Sequence, residues 1–373
     1  MFPHVDVWLK LLLAAVAALV IAYSMTPTVK HFAELVGAID VPKDERRVHK
    51  HPIPRMGGLA IFLGFVLSML LFAEMNSQVV GMMIGAVLIV VMGAVDDIIN
   101  LNAWAKLAVQ IVAAGIAIRS GVVFDAISNP NFLSEITTIQ IGYLSVPLTV
   151  LWIVGCTNAV NLIDGLDGLA VGVSAISSFT MLVVAIFVAE PNTAVILAAL
   201  TGACIGFMPY NLNPAKIFMG DVGSQFLGYI LSTASIIGMF KFHAIITFLV
   251  PLLALAVPLT DTVTAFFRRI SHGQSPFHAD KKHLHHRLLA MGLNQKQAVA
   301  VLYSVSAVLG LIAVLLAGTN IYVRASCLVL AAAISIAAWF FIFRHNPNLH
   351  IEHPSHHAED RPHDDDDDTD KAS

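Results

Sequence analysis

Long apolar stretches separated by short polar segments run through almost the whole sequence. Eleven of them approach the roughly 20 residues that a helix needs to cross a bilayer. Only 12% of the 373 residues are charged, against about 25% in an average soluble protein. The sequence therefore predicts an all-α, polytopic integral membrane protein. The predicted spans are 7–26, 56–73, 79–95, 104–120, 144–158, 168–189, 193–209, 222–240, 244–267, 297–317 and 322–343.

Lysine and arginine are concentrated in alternate connecting segments. Segments 27–55 and 268–296 contain six basic residues each, and short loops rich in these residues stay in the cytoplasm. With eleven spans, both segments lie on the same side as the C-terminus. We therefore predict an external N-terminus, a cytoplasmic C-terminus and an active face in the cytoplasm. The longer external connection, 120–143, is predicted to form a small cap or an amphipathic piece.

The chain divides into a membrane domain, residues 1–343, and a C-terminal tail, residues 344–373. The tail carries nine acidic and three basic residues together with six histidines. This composition cannot form a hydrophobic core, so the tail is predicted to be a disordered cytoplasmic extension. The cytoplasmic loops of the membrane domain are predicted at 27–55, 96–106, 158–168, 210–224 and 268–296.

Acidic side chains within or beside membrane spans are costly and are therefore candidates for function. Asp96 and Asp97 are adjacent at the predicted cytoplasmic end of the third span. Two neighbouring carboxylates raise each other's pKa unless a cation neutralises them. The pair therefore indicates a divalent metal, a phosphate-bound cation or a proton acceptor. Asp164, Asp167, Asp221, Asp261 and Asp280 lie on the same predicted face.

Asparagine and aspartate recur in segment 158–168. Asn158, Asn161 and Asp164 are spaced three apart, so they share one helix face. The Asp-Gly steps that begin at Asp164 and Asp167 favour turns and can direct backbone N–H groups toward an anion. We therefore predict that this segment contributes to a binding site rather than serving only as a connection.

Segment 211–224 contains the run Phe-Met-Gly-Asp-Val-Gly-Ser. It resembles a compact phosphate-binding loop that opens a helix. Asp221 would supply a hard oxygen ligand of the kind that Mg²⁺ prefers. Phe218 could stack on a base, or it could simply pack against its neighbours.

Two further segments combine basic and histidine side chains. The first, 40–58, contains three prolines and paired glycines, which shape a fixed loop suited to a phosphate or nucleotide. Its basic residues also suit a simple membrane anchor. The second contains His283-Leu-His285-His286 among lysines and arginines. This mixture favours a surface for phosphate or sugar over a zinc site, which would need a closed set of ligands.

Together these residues favour Mg²⁺-assisted phosphoryl transfer to a lipid-borne acceptor, because such reactions depend on charge neutralisation and alignment. The alternative from another class is a secondary transporter. Transporters bind ions near the membrane midplane and have repeated halves. Here the acids cluster at one interface and the sequence shows no convincing repeat.

The five polar segments resemble the polyprenyl-phosphate N-acetylhexosamine-1-phosphate transferases, glycosyltransferase family 4. The motifs occur in order between residues 25 and 295. They are a Pro/His/Gly-Gly loop, Asp-Asp, Asn-x-x-Asn-x-x-Asp-Gly-x-Asp-Gly, Phe-Met-Gly-Asp-x-Gly-Ser and His-x-His-His. This family joins a sugar-1-phosphate from a UDP-sugar to a polyprenyl phosphate and releases UMP. The interrupted histidine motif is similar to the branch that uses UDP-GlcNAc, rather than to the branch that transfers phospho-MurNAc-pentapeptide. Relatives that initiate teichoic-acid linkage use the same two substrates.

The resemblance implies a bacterial inner-membrane enzyme whose active site faces the cytoplasm. Its implied partners are UDP-GlcNAc, undecaprenyl phosphate, the lipid bilayer and a second copy of the chain, with no nucleic acid. Mg²⁺ is the implied cofactor, with Mn²⁺ as an alternative. The implied role is the first step of a surface polysaccharide of O-antigen or enterobacterial common antigen type.

The resemblance also assigns roles to individual residues. Direct attack by the lipid phosphate is our hypothesis, and a two-step route through a covalent enzyme intermediate stays open. The implied catalytic residues are Asp96, Asp97, Asp164, Asp167, His283, His285 and His286. The implied substrate-binding residues are Arg47, His49, Lys106, Asn158, Asn161, Asn211, Phe218 and Arg268. The implied metal ligands are Asp221 and Asp97.

Overall fold

The computed structural model describes residues 3–41, 52–124, 126–128, 138–140, 142–238, 244–271, 283–317 and 321–345. These residues form thirteen α-helices and four short strands. The helices are α1 (Pro3–Leu35), α2 (Gly58–Phe72), α3 (Ser77–Ile99), α4 (Ala103–Arg119), α5 (Ser145–Ile163), α6 (Leu169–Phe187), α7 (Pro191–Asn211), α8 (Gly220–Gly238), α9 (Ala244–Ala254), α10 (Ala256–Ser271), α11 (Leu284–Ala290), α12 (Gln295–Ala317) and α13 (Ile321–His345). The strands are β1 (Ile39–Asp40), β2 (Ile53–Pro54), β3 (Ala126–Ser128) and β4 (Thr138–Gln140).

Within the described residues, six helices are long and apolar enough to cross a membrane. They are α1, α3, α5, α6, α7 and α12, and two shorter apolar helices lie within α2 and α13. The prediction of a polytopic helical membrane protein is therefore confirmed. The count of eleven spans and the orientation of the chain stay predictions.

The strands modify the all-α prediction. β1 pairs with β2 and β3 pairs with β4, both antiparallel, so two small two-stranded sheets accompany the helices. The second sheet lies in the segment predicted as a small cap, 120–143. The first sheet joins two parts of the proline-rich loop, and its strands line the cavity described below.

The first helix continues beyond residue 26, where the first predicted span ends. α1 contains Pro27 in its interior and continues to Leu35, so the following loop begins later than the predicted residue 27. Val29 and Ala33 are buried on the continued helix, where α1 packs against α2 and α7. Tertiary packing therefore extends the helix past a residue that usually weakens it.

The predicted span 244–267 is two helices, α9 and α10, which break at Leu255. Pro258 has no backbone N–H, so it cannot bond to the carbonyl group of Ala254, four residues earlier. The hydroxyl group of Ser177 on α6 donates a hydrogen bond to that carbonyl oxygen. A side chain from another helix thus satisfies the acceptor that the proline leaves free.

Helix α8 occupies the centre of the bundle. Every residue from Val222 to Ile236 is buried, and α2, α3, α5, α6 and α7 all pack against this helix. Glycines allow the closest approaches, since a Cβ at Gly93 would come within 3.0 Å of the α8 backbone. Asp221 in the first turn of α8 therefore lies among the C-terminal ends of α3 and α5. The tail beyond His345 lies outside the described residues.

Candidate active site

The two carboxylates of the Asp-Asp pair have different partners. The carboxylate of Asp97 accepts hydrogen bonds from the backbone N–H groups of Asp221 and Val222, at 3.0 and 3.3 Å. It therefore satisfies N–H groups that the start of a helix leaves without partners, where the helix dipole also favours a negative charge. Asp96 accepts hydrogen bonds from the backbone of Leu101 at 2.6 Å and from the side chain of Lys106 at 2.6 Å. Asp97 thus fixes the start of α8, and Asp96 pairs with a cation.

Lys106 on α4 joins two acids from different helices. Its ammonium group lies 2.6 Å from Asp96 Oδ2 and 2.8 Å from Asp221 Oδ2. Asp221 also accepts hydrogen bonds from the side-chain amides of Asn161 at 3.2 Å and Gln225 at 2.9 Å. Four helices, α3, α4, α5 and α8, therefore meet at a network of two carboxylates, one ammonium group and two amides.

A cavity of about 830 Å³ opens beside this network. It is bounded by the end of α1, the β1–β2 pair, the loop after α5 and the segment between α7 and α8. Phe218, Asn161 and Asn211 are among its lining residues. The ionisable lining residues are Lys30, Glu34, Asp40, Arg55, Asp164, Asp167, Lys216 and Asp221.

Asp164 and Asp167 lie in the turn after α5. Burial raises the pKa of Asp164 to about 8, and the carboxylates of Asp221 and Asp97 act in the same direction. Asp164 can therefore hold a proton at neutral pH, although a bound cation would lower its pKa again. Asp167 accepts hydrogen bonds from the Asn213 side chain at 3.0 Å and the Ala215 backbone at 3.1 Å. Asp167 thus holds the segment between α7 and α8 against the turn.

Asn211 and Asn158 have their side-chain groups engaged by the protein. Asn211 accepts a hydrogen bond from the backbone of Gly168 at 3.2 Å and donates one to the carbonyl group of Ile217 at 3.1 Å. Asn158 does not line the cavity, and its amide exchanges hydrogen bonds with the amide of Gln110 at 2.8 and 3.3 Å. In this arrangement both side chains hold neighbouring parts of the protein together. Their contacts with substrate stay a prediction.

The histidine motif is not among the lining residues of the cavity. His283 Nδ1 lies 3.0 Å from Asp261 Oδ2, and His285 is buried against Gly165. Burial lowers the pKa of His285 to about 4, with His286 acting in the same direction, so the His285 imidazole is neutral at physiological pH. His286 is exposed, and Arg268 lies near the end of α10.

The structure therefore unites most of the predicted site. Asn161, Asp164, Asp167, Asn211, Phe218 and Asp221 line the cavity, and Asp96, Asp97 and Lys106 contact Asp221 from behind it. The lining does not include Asn158, Arg268, His283, His285 or His286. Arg47 and His49 lie outside the described residues.

Sequence reasoning missed several polar residues at the site. Gln110 and Gln225 follow Lys106 and Asp221 by four residues, so each lies on the same helix face as its predecessor. Amides placed at that spacing in otherwise apolar helices were a usable signal. Lys30 and Lys216 could not be recognised as site residues from the sequence, because basic residues near a membrane also serve as anchors. The other polar lining residues that were not predicted as site residues are Glu34, Asp40, Arg55, Asn213 and Gln295. Asp261 was predicted only as an acid of the cytoplasmic face, and in the structure it contacts His283.

The donor atoms fit Mg²⁺ only as part of a complex with substrate. Among the described residues, no group of three or more His, Cys, Asp or Glu could hold a metal ion. Mg²⁺ is usually held by one or two carboxylates and completes its octahedron with substrate phosphates and water. Asp221 supplies such a carboxylate. Among the described lining residues, acids outnumber bases.

The apolar helices and the polar cavity indicate an integral membrane protein with a site for a polar ligand, and comparison with known proteins identifies it as a transferase. The model of glycosyl transferase family 4 matches residues 79–239, the part of the chain that contains Asp96, Asp97, Lys106 and Asp221. The chain belongs to this family, and the resemblance inferred from the five motifs is confirmed.

Three relatives indicate the range of the family. The chain is 39% identical over 317 residues to the probable undecaprenyl-phosphate N-acetylglucosaminyl 1-phosphate transferase of Bacillus subtilis (strain 168), covering 84% of this chain and 87% of the relative. It is 35% identical to the decaprenyl-phosphate N-acetylglucosaminephosphotransferase of Mycolicibacterium smegmatis, covering 79% of each. It is 34% identical to the phospho-N-acetylmuramoyl-pentapeptide-transferase of Thermoanaerobacter sp. (strain X514), covering 61% of this chain and 75% of the relative.

Proposed function

We propose that the protein transfers GlcNAc-1-phosphate from UDP-GlcNAc to undecaprenyl phosphate, which gives undecaprenyl-pyrophosphoryl-GlcNAc and UMP. The observation that carries the proposal is the cavity beside Asp221, where loops from separate parts of the chain bring acids, bases and amides together. The names of two relatives that span most of the chain agree with this donor sugar and with a polyprenyl phosphate acceptor. We further propose that the site faces the cytoplasm of a bacterial inner membrane and that the product begins a surface polysaccharide.

In this reaction an oxygen of the lipid phosphate attacks the β-phosphorus of UDP-GlcNAc. A new P–O bond forms there, the bond from the β-phosphorus to the bridging oxygen breaks, and UMP leaves with the electron pair. Both reactants are anions, so the site must neutralise charge and align the attacking oxygen. Lys30, Arg55 and Lys216 supply positive charge at the cavity wall.

We propose Mg²⁺, with Mn²⁺ as an alternative, as the cofactor held by Asp221. When bound, the metal would offset the charge of the donor pyrophosphate. Lys106 already balances Asp96 and Asp221 from behind the cavity, and it could turn its ammonium group to a phosphate when a metal takes over that balance. Asp97 holds the backbone of Asp221 in position, which limits its freedom to act as a covalent nucleophile.

The test is UMP release by the purified protein in detergent with UDP-GlcNAc, UDP-GalNAc or UDP-MurNAc-pentapeptide, with and without undecaprenyl phosphate. We expect release with UDP-GlcNAc that depends on the lipid. Preference for UDP-MurNAc-pentapeptide would replace the proposed donor, and this alternative has support from the Thermoanaerobacter relative. Absence of UMP release with all three donors would contradict the transferase proposal and favour a carrier.

The metal role is tested by assaying Asp221→Asn across Mg²⁺ concentrations. We expect a large loss of activity and a higher Mg²⁺ requirement in the variant. Glu74→Gln is the matched control, because Glu74 is exposed and lies just before α3, at the opposite end of that helix from Asp96. Full activity of Asp221→Asn at unchanged Mg²⁺ demand would exclude the role. Labelled phospho-sugar trapped on Asp97 without lipid acceptor would refute direct attack.

A further inference from the structure

Asp261 is a buried acid whose two carboxylate oxygens bind separate groups of the histidine motif. The side chain is in α10 and is only 2% exposed. Its Oδ2 lies 3.0 Å from His283 Nδ1, and its Oδ1 accepts a hydrogen bond from the backbone N–H of Leu284 at 2.8 Å. A buried carboxylate is tolerated only when it is paired and hydrogen-bonded. One side chain thus fixes both an imidazole and the first residue of α11.

His283 in turn supports His285. Their rings are stacked with centroids 5.9 Å apart and planes 2° apart. His285 is also buried, at 3% exposure, and its ring lies directly against Gly165. A Cβ at Gly165 would come within 3.0 Å of the imidazole. Because Gly165 lies between two cavity-lining acids, His285 supports the wall of the cavity from behind.

We propose that Asp261 is a positioning residue of the candidate active site. By holding His283 and the start of α11, it seats His285 against Gly165 and so sets the position of Asp164 and Asp167. The inference rests on the proposed function for its chemistry and assigns to Asp261 a role that acts through other residues. Asp261 itself is not among the lining residues of the cavity, and it contacts His283.

A positioning role and a purely stabilising role of Asp261 predict different effects on the KM values of the two substrates. If Asp261 only stabilised the fold, its removal would lower the fraction of active protein and leave the KM for each substrate unchanged. If it positions the turn that contains Asp164, the KM for the UDP-sugar rises while the KM for the lipid acceptor stays the same. Displacement of an active-site group by about 1 Å costs up to about a hundredfold in rate.

The first experiment compares Asp261→Ala and Asp261→Asn with Thr264→Ala in the UMP-release assay. Thr264 is the matched control, because its exposed hydroxyl group bonds only to carbonyl groups of α10. We expect kcat/KM for the UDP-sugar to fall about tenfold or more in Asp261→Ala, with a smaller loss in Asp261→Asn. The amide of the asparagine can still accept from Leu284. Unchanged KM for the UDP-sugar in Asp261→Ala would overturn the proposal.

The second experiment is a double-mutant cycle with Gly165→Ala. The added methyl group displaces His285, so Asp261→Ala should cause no further large loss in that background, and the two effects should not add. Gly155→Ala on α5 is the matched control, since a Cβ at Gly155 meets no atom within 4 Å. Effects that add in the Gly165→Ala background would contradict the link through His285.

A third measurement requires no catalysis. Hydrogen exchange of the backbone amides in residues 158–168 should be faster in Asp261→Ala than in the wild type or Thr264→Ala. An inactive wild type would contradict the proposed function, whereas unchanged exchange in 158–168 would contradict the positioning role. The two failures are therefore distinguishable.

Discussion

Replacing Lys106 by methionine removes the ammonium group that links Asp96 and Asp221. Methionine keeps most of the apolar length of the lysine side chain, so packing along α4 should change little. The two carboxylates would then face each other without the cation that lies 2.6 and 2.8 Å from them. We expect a loss of stability whose size depends on how well each carboxylate is otherwise hydrogen-bonded.

The structure sets the size of this loss. Removing one partner of a buried ion pair costs about 3–5 kcal/mol. The side chains of Lys106 and Asp221 retain 25% and 24% exposure, so solvent screening reduces the cost. Asp96 keeps its bond from Leu101, and Asp221 keeps its bonds from Asn161 and Gln225. We therefore expect Lys106→Met to lower the free energy of unfolding by about 2–3 kcal/mol.

The assay is unfolding of the purified protein by SDS titration in mixed micelles, with and without Mg²⁺. Lys106→Arg should recover much of the loss, since it keeps the charge. Lys216→Met is the matched control, because the Lys216 ammonium group lies over the Tyr210 ring at 6.0 Å and its loss should cost at most about 1 kcal/mol. Mg²⁺ should stabilise Lys106→Met more than the wild type. A cost in Lys106→Met no larger than that in Lys216→Met would refute the reasoning.

Three further predictions concern packing, pH and the buried amides. Gly58→Ala should lower the free energy of unfolding by about 1–3 kcal/mol, because its Cβ would come within 3.0 Å of the α8 backbone. Gly115→Ala, with no atom within 4 Å of its Cβ, should cost nothing in the same SDS titration. The lowered pKa of His285 means that its neutral form stabilises the fold above pH 6.5, and that this stability is lost as the pH falls toward about 4. Between pH 6.5 and pH 4, the free energy of unfolding should therefore fall less in His285→Gln than in the wild type, by up to about 3 kcal/mol. A fall as steep as that of the wild type would contradict this. Gln225→Leu removes the amide that donates to Asp221 at 2.9 Å, so kcat/KM for UMP release should fall about tenfold; wild-type activity would show that this amide does not orient Asp221.

Much of the site could be predicted because acids and amides are conspicuous in an apolar chain. Asp96, Asp97, Asp164 and Asp221 were all singled out on that ground, and they lie at or beside one cavity in the structure. The cost of burying charge makes such residues informative before any fold is known. Helix ends were less predictable, as α1 shows, because packing against α2 and α7 carries the helix past Pro27.

The histidine motif shows where sequence reasoning stopped. Its interleaved basic residues predict a surface that grips phosphate or sugar, and that role stays a prediction. In the structure His283 and His285 are buried and are not among the lining residues of the cavity. The partner of His283, Asp261, comes from another helix, 22 residues away along the chain. The composition of a loop shows which chemical groups are available, but it does not show whether each side chain lines the cavity.

The sequence by itself determined that the chain crosses a membrane and that its polar chemistry is concentrated in a few segments. Both properties depend on local composition, because the bilayer excludes charge from any long apolar helix. Only the tertiary structure decided the separate partners of the adjacent acids. Asp97 meets the N-terminus of α8, and Asp96 meets Lys106. Those partners come from different helices, and the packing of α3, α4 and α8 determines which charges meet.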